Sequence, residues 1–153
     1  MKIIFFNENW IYGGSNRCIE SLIKIAYQEN HEIEYILNYE GFHKLREISN
    51  NIKITKFDTL NIVNKVNIKF KNNKYFNSLF KGFIIFNPII FFINVLRFMA
   101  LFKNKNVDLV VSCNGGYPGA ESCLAAIVAS KILNKKNILS IASMSRRRRW
   151  ILY

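Results

Sequence analysis

Two stretches carry residue types that could do chemistry. In the first, Val107 to Ser122, a strand-type run of Leu109, Val110, Val111 and Ser112 passes into Asn114-Gly115-Gly116, then Pro118-Gly119, and then an Ala-rich segment with helical spacing from Ala120 to Leu133. In the second, Lys2 to Phe6 is followed by Asn7 to Gly14, ending in Gly13-Gly14, and by a helix from about Ser15. Glycine can enter the left-handed region and lets a ligand approach the backbone, while the first N–H groups of a helix have no partners within it. A strand, a glycine turn and a helix start in succession therefore offer a place for an anionic or hydroxyl-rich ligand at the carboxyl end of a parallel strand. Three glycines and a proline between Asn114 and Gly119 exceed what a simple connection requires. Glu121 falls in the first turn of its helix, where a carboxylate interacts well with the helix dipole even without a catalytic role.

The remaining chemistry-bearing residues exclude more than they suggest. Cys18, Cys113 and Cys123 lie in apolar runs with no C-x-x-C pair and no nearby histidine, so neither a metal site nor a disulfide framework is expected, and no cofactor is implied. His31 and His43 are not placed as catalytic bases, and no Ser-His-Asp arrangement is visible. Charge is uneven: residues 1 to 58 carry net −1, whereas residues 59 to 153 carry net +13, with Asp108 and Glu121 the only acids there. Anionic lipid headgroups or pyrophosphate-bearing substrates suit such a surface; no motif points to nucleic acid. The four consecutive arginines Arg146, Arg147, Arg148 and Arg149 are candidates for contact with phosphate or anionic lipid.

The elements that must hold these residues read as alternating strands and helices. Ile3 to Phe6 is an unbroken apolar run, as in a central parallel strand. Cys18, Ile19, Leu22, Ile23 and Ala26 then recur at helical spacing, with Ser15 as a candidate cap. Strands are expected at Ile33 to Leu37, at Ile52 to Phe57, whose alternation suits an edge, and at Ile138 to Ala142. A short helix is expected at Phe42 to Ile48, and a mobile, basic loop at Asn61 to Ser78. Leu79 to Phe102 is intensely apolar but broken by Lys81, Asn87, Pro88, Asn94 and Arg97. It reads first as a buried or interface helix starting at Pro88, with a membrane-surface helix and a true span as alternatives. The fold class is α/β, a Rossmann-like, doubly wound, mostly parallel sheet in one domain, incomplete at its carboxyl-terminal end because no helix follows the last strand.

FFNENWIYGGSNRCIESLIKIA and DLVVSCNGGYPGAESCLAAIVASKILNKKNILSIAS together resemble the amino-terminal half of a family 4 glycosyltransferase, the retaining group with two Rossmann-like domains. The resemblance implies a sugar-acceptor domain in which Gly13 and Gly14 face the donor phosphates and Asn114, Gly115, Gly116, Tyr117 and Glu121 line the acceptor side. It departs from the family in having Asn16 before Arg17 where a glutamate is common, and Ala142 and Ser143 where many members place a histidine. The resemblance also implies a nucleotide-sugar donor-binding domain that is not expected within these residues, so the chain alone is expected to be inactive, as a truncated domain or one working with a separately encoded donor domain. The implied acceptor is a glycan or a lipid-linked sugar in cell-surface polysaccharide synthesis, the implied setting the cytoplasm or the inner face of the membrane. A non-catalytic scaffold of a split transferase and a functionless truncated product are the competing expectations.

Overall fold

A computed structural model describes residues 1–8, 14–38, 52–60, 87–114 and 121–141, Asn114 by its backbone only. The elements are β1 (Lys2–Asn7), α1 (Gly14–Gln28), β2 (Glu32–Leu37), β3 (Lys53–Lys56), α2 (Asn87–Lys103), β4 (Leu109–Asn114), α3 (Glu121–Ile132) and β5 (Lys136–Ile141). All pairings are parallel, in the order β3-β2-β1-β4-β5. This is the expected Rossmann-like α/β sheet, and its strand order reverses between β1 and β4, which pair from Ile3↔Leu109 to Asn7↔Cys113.

Alternation along β1 divides the core into two layers. Ile3 and Phe5 pack with Ile19, Ile23 and Ala26 of α1 on one face, whereas Ile4 and Phe6 pack with α2 and α3 on the other. Every β1 residue from Ile3 to Asn7 is buried, as a central strand covered on both faces requires. The apolar stretch around Pro88 is a helix whose inner side, Val95, Phe98 and Phe102, is consumed by this core. Phe98 meets Phe6 edge-on at 4.8 Å between ring centroids and Phe57 at 4.7 Å. Such pairs add about 1 kcal/mol beyond the area they bury. Among the described residues no helix is long and apolar enough to cross a membrane.

Helices α1 and α3 stop in the same way before β2 and β5. Asn30 and Asn134 adopt left-handed φ of 58° and 53°. The following N–H groups reach back into the helix, His31 to the Ala26 carbonyl at 3.1 Å and Lys135 to the Ser130 carbonyl at 2.9 Å. Asparagine tolerates this conformation better than other side-chain-bearing residues, so a polar residue replaces the more usual glycine. β3 is the edge strand that its alternation suggests, exposed or half-exposed throughout. β5 begins at Lys136, ahead of the apolar run at Ile138 that marks it in the sequence.

The helix over Phe42 to Ile48 and the loop over Asn61 to Ser78 lie outside the described residues, as do residues 142 to 153. Helix α1 starts at Gly14, so Ser15 is its second residue and is buried. It does not occupy the flanking position that the capping expectation gave it, because Gly14 is already helical.

Candidate functional site

Parallel pairing places the carboxyl ends of β1 and β4 side by side, so the β1–α1 and β4–α3 connections open on one edge of the sheet. The α2 amino terminus lies on that edge too, since Asn87 Nδ2 donates to Glu121 Oε1 at 3.3 Å. Three helices thus begin at this edge with the positive ends of their dipoles.

Of the residues expected in the site, Gly14 is the first residue of α1 and Glu121 the first of α3, while Asn114 ends β4. Gly13, Gly115, Gly116 and Tyr117 lie outside the described residues. So do all four arginines of the basic run, Arg146, Arg147, Arg148 and Arg149. Gly14 does not have the left-handed backbone that a glycine turn suggests: no described glycine has positive φ. Among the described residues a Cβ at Gly14 would meet nothing within 4 Å, so none of them requires glycine there. Glu121 is exposed and bonded to Asn87, so it serves the α2–α3 junction as well as the helix dipole.

A buried polar cluster beneath this edge was not singled out in the sequence. Glu8, immediately after β1, is buried, accepts a hydrogen bond from Ser122 Oγ of α3, and accepts another from Thr59 Oγ1 at 3.3 Å. Leu60, next to Thr59, is clamped to α2. Asn94 Nδ2 donates to its carbonyl at 2.9 Å, and Asn94 Oδ1 accepts from its N–H at 3.0 Å. Glu8 thereby ties the ends of β1, α3 and the segment after β3 together. The signal for it was a polar pair, Asn7-Glu8, ending an otherwise apolar strand. On the opposite face Asn7 is fully buried, and its amide has no hydrogen-bond partner among the described residues, close to the equally buried Tyr35 hydroxyl. Burial raises the Tyr35 phenol, with Asn7 acting in the opposite direction, so Tyr35 stays neutral.

Cys113 and Cys123 are buried, which disfavours their thiolates. Burial pushes the Cys113 thiol up to about 11 and the Cys123 thiol up to about 12, and Cys123 Sγ donates to the Cys113 carbonyl at 3.3 Å. Among the described residues no cluster of His, Cys, Asp and Glu could hold a metal ion. A cleft of about 670 Å³ lies at the other edge, around the amino ends of β2 and β3. Three of its ionisable groups are engaged: Glu32 with Lys2 at 2.6 Å, His31 with Glu29 at 3.3 Å, and Glu34 with Lys105. The edge where the strand order reverses is the better candidate.

Comparison of the coordinates with solved structures finds the calicheamicin glycosyltransferase CalG4 at a TM-score of 0.58 and 11% identity, over 97% of this chain and 34% of that one. The fold is shared with a glycosyltransferase. It is shared as well with the C-terminal domain of a hydrogenase from Pyrococcus furiosus, at a TM-score of 0.52 and 10% identity, over 91% of this chain and 89% of that domain. At these identities the likeness is one of fold, and one fold hosts many chemistries. No protein-family model matches the sequence, and no curated protein does. The chain spans about a third of the glycosyltransferase's length.

Proposed function

We propose that this chain is the acceptor-side domain of a sugar transferase of the family 4 type, forming one wall of a cleft whose other wall is a donor-binding domain. The reading is supported by one observation: β1 and β4, each followed in the sequence by a glycine-bearing link to a helix, end side by side where the strand order reverses, and no described residue comes within 4 Å of a Cβ at Gly14. In this reading the α1 amino terminus, with Gly13 and Gly14, faces the diphosphate of a nucleotide-sugar donor, whose developing negative charge on departure is stabilised by N–H groups and the helix dipole. Asn114, Gly115, Gly116, Tyr117 and Glu121 line the side taken by the acceptor, a glycan or lipid-linked sugar. Arg146, Arg147, Arg148 and Arg149 contact phosphate or anionic lipid. Catalysis requires the donor domain, on the same polypeptide or a separate chain.

The test is an amide NMR titration of the full chain with nucleotide diphosphate sugars and oligosaccharide acceptors, in parallel with Gly14→Ala. Ligand is expected to shift the amides of Gly14, Ser15, Asn114 and Glu121. Gly14→Ala is expected to leave the fold intact, or to stabilise it by up to about 1 kcal/mol through helix propensity. It should weaken ligand binding about tenfold by filling the open flank. Shifts confined to the β2–β3 amino edge, or undiminished binding by Gly14→Ala, would overturn the assignment. A second reading, a non-catalytic subunit that positions a partner, is favoured by the apolar outer face of α2.

A further inference from the structure

The amino ends of the strands form the edge opposite Gly14, and between α1, β2 and β3 that edge opens into the cleft of about 670 Å³. This is the size of a pocket for a small molecule. Rigid parts of the fold build it. Asn30, in its left-handed conformation, ends α1, and its N–H donates to the Tyr27 carbonyl at 3.0 Å. Tyr27, Gln28 and Asn30 line the cleft from this turn, Glu32 and Glu34 from β2, and Lys53 from the first residue of β3. The charges around it cancel. Glu32 is held by Lys2, Glu34 by Lys105 and by Thr55 Oγ1, which donates at 2.6 Å, and His31 by Glu29. The Lys53 ammonium acts on the same Glu34 carboxylate. An ion of either sign would meet a like charge beside each opposite one, so the complementarity that selects charged ligands is missing. What remains is suited to an uncharged, hydroxyl-rich molecule. The exposed Gln28 and Asn30 side chains are carboxamides, which both donate and accept as hydroxyls do. Tyr27 is 37% exposed and adds an aromatic ring whose negative face attracts the C–H groups of a sugar.

We infer that this cleft is a second binding site, for an uncharged sugar, in which the Gln28 and Asn30 carboxamides and the Glu32 carboxylate hydrogen-bond ligand hydroxyls and the Tyr27 ring covers one ligand face. The inference stands on the lining of the cleft and needs no assumption about the Gly14 edge. β2 runs from Glu32 to Leu37, so at about 3.3 Å per residue the two edges lie about 17 Å apart. A sugar in the cleft therefore does not touch Gly14, and a glycan held there stays with the domain while the opposite edge remains open.

The experiment is an amide NMR titration of the full chain with maltotriose and with tri-N-acetylchitotriose, and separately with inorganic phosphate and with spermidine. One trisaccharide or both should shift the amides of Gln28, Asn30, His31 and Lys53 saturably, with a Kd of about 1 mM. The affinity should be the same at about 0.1 M and about 1 M salt, because no charge is recognised. Asn30→Gly removes the carboxamide but keeps the left-handed turn, so it should weaken binding about fivefold without lowering the midpoint of urea unfolding. Tyr27→Ala should weaken binding about tenfold. Circular dichroism of each variant checks the fold, and Asn30→Gly remains informative should Tyr27→Ala unfold. No shift of these amides with either trisaccharide, binding unchanged in both variants, or larger shifts from phosphate or spermidine overturns the proposal. Trisaccharide shifts at Gly14 and Ser15 alone overturn it too, while leaving the reading of that edge intact.

Discussion

The Glu8 cluster can be tested by a double-mutant cycle with Ser122. Glu8 is buried, and its two carboxylate oxygens accept from hydroxyls on two different segments, Ser122 Oγ and Thr59 Oγ1. A hydrogen bond to a charged acceptor contributes about 1.5 to 3 kcal/mol, and the 3.3 Å bond from Thr59 belongs below that range. By the same measure Ser122→Ala should cost about 2 kcal/mol, and Glu8→Gln, which keeps shape and one acceptor oxygen, about 2 kcal/mol. Because both single changes remove the same contact, the double variant should lose less than the sum by about 1 to 2 kcal/mol. In urea unfolding followed by circular dichroism, each single change should move the midpoint by about 1 M at an ordinary slope. Additivity to within about 0.3 kcal/mol would refute the reasoning, since two groups that share a bond cannot act independently. The same cycle separates structure from chemistry. Because both of its oxygens accept bonds that join separate segments, Glu8→Gln should disturb stability more than ligand binding.

Three further outcomes follow from particular contacts. Burial acts to raise the Glu34 carboxyl, but hydrogen bonds from Lys105 and Thr55 outweigh it and hold the group below its ordinary 4.5. The folded-state value is the depressed one, so the stabilisation is complete above 4.5 and lost as pH falls below it. Glu34→Gln should flatten the acid limb of a stability–pH curve, and superimposable limbs would count against this. Of the three free cysteines, half-buried Cys18 should react with a chromogenic disulfide at about pH 8 while Cys113 and Cys123 react only on unfolding. Three fast equivalents from the folded chain would contradict their burial. Asn94→Ala leaves both backbone groups of Leu60 without their side-chain partner and should cost about 2 kcal/mol in urea unfolding. An effect as small as that of exposed Leu96→Ala would show that the clamp contributes nothing.

What the sequence disclosed and what it withheld divide along physical lines. β1 is legible as an unbroken apolar run because both of its faces are covered, and β3 as an alternating edge because it is exposed or half-exposed. Pro88 marks the start of α2 because a missing N–H is harmless in a first turn. The Glu8 cluster was not legible: its bonds join residues 51 and 114 positions apart, and no local period records a long-range hydrogen bond. Gly14 stands out in the sequence as half of a glycine pair, yet its backbone does not have the positive φ that a glycine turn suggests. Lys136 and Asn137 belong to β5 although they are polar, because β4 pairs with them through its backbone at Leu109 and Val110.

The chain winds outward in both directions from the junction of β1 and β4, through α1 on one face to β2 and through α3 on the other to β5. The gap between those two paths is thus created by connectivity, and not by any side chain that borders it. Residues there can be exchanged over evolutionary time, altering which molecule is accepted, without endangering the order in which the strands assemble.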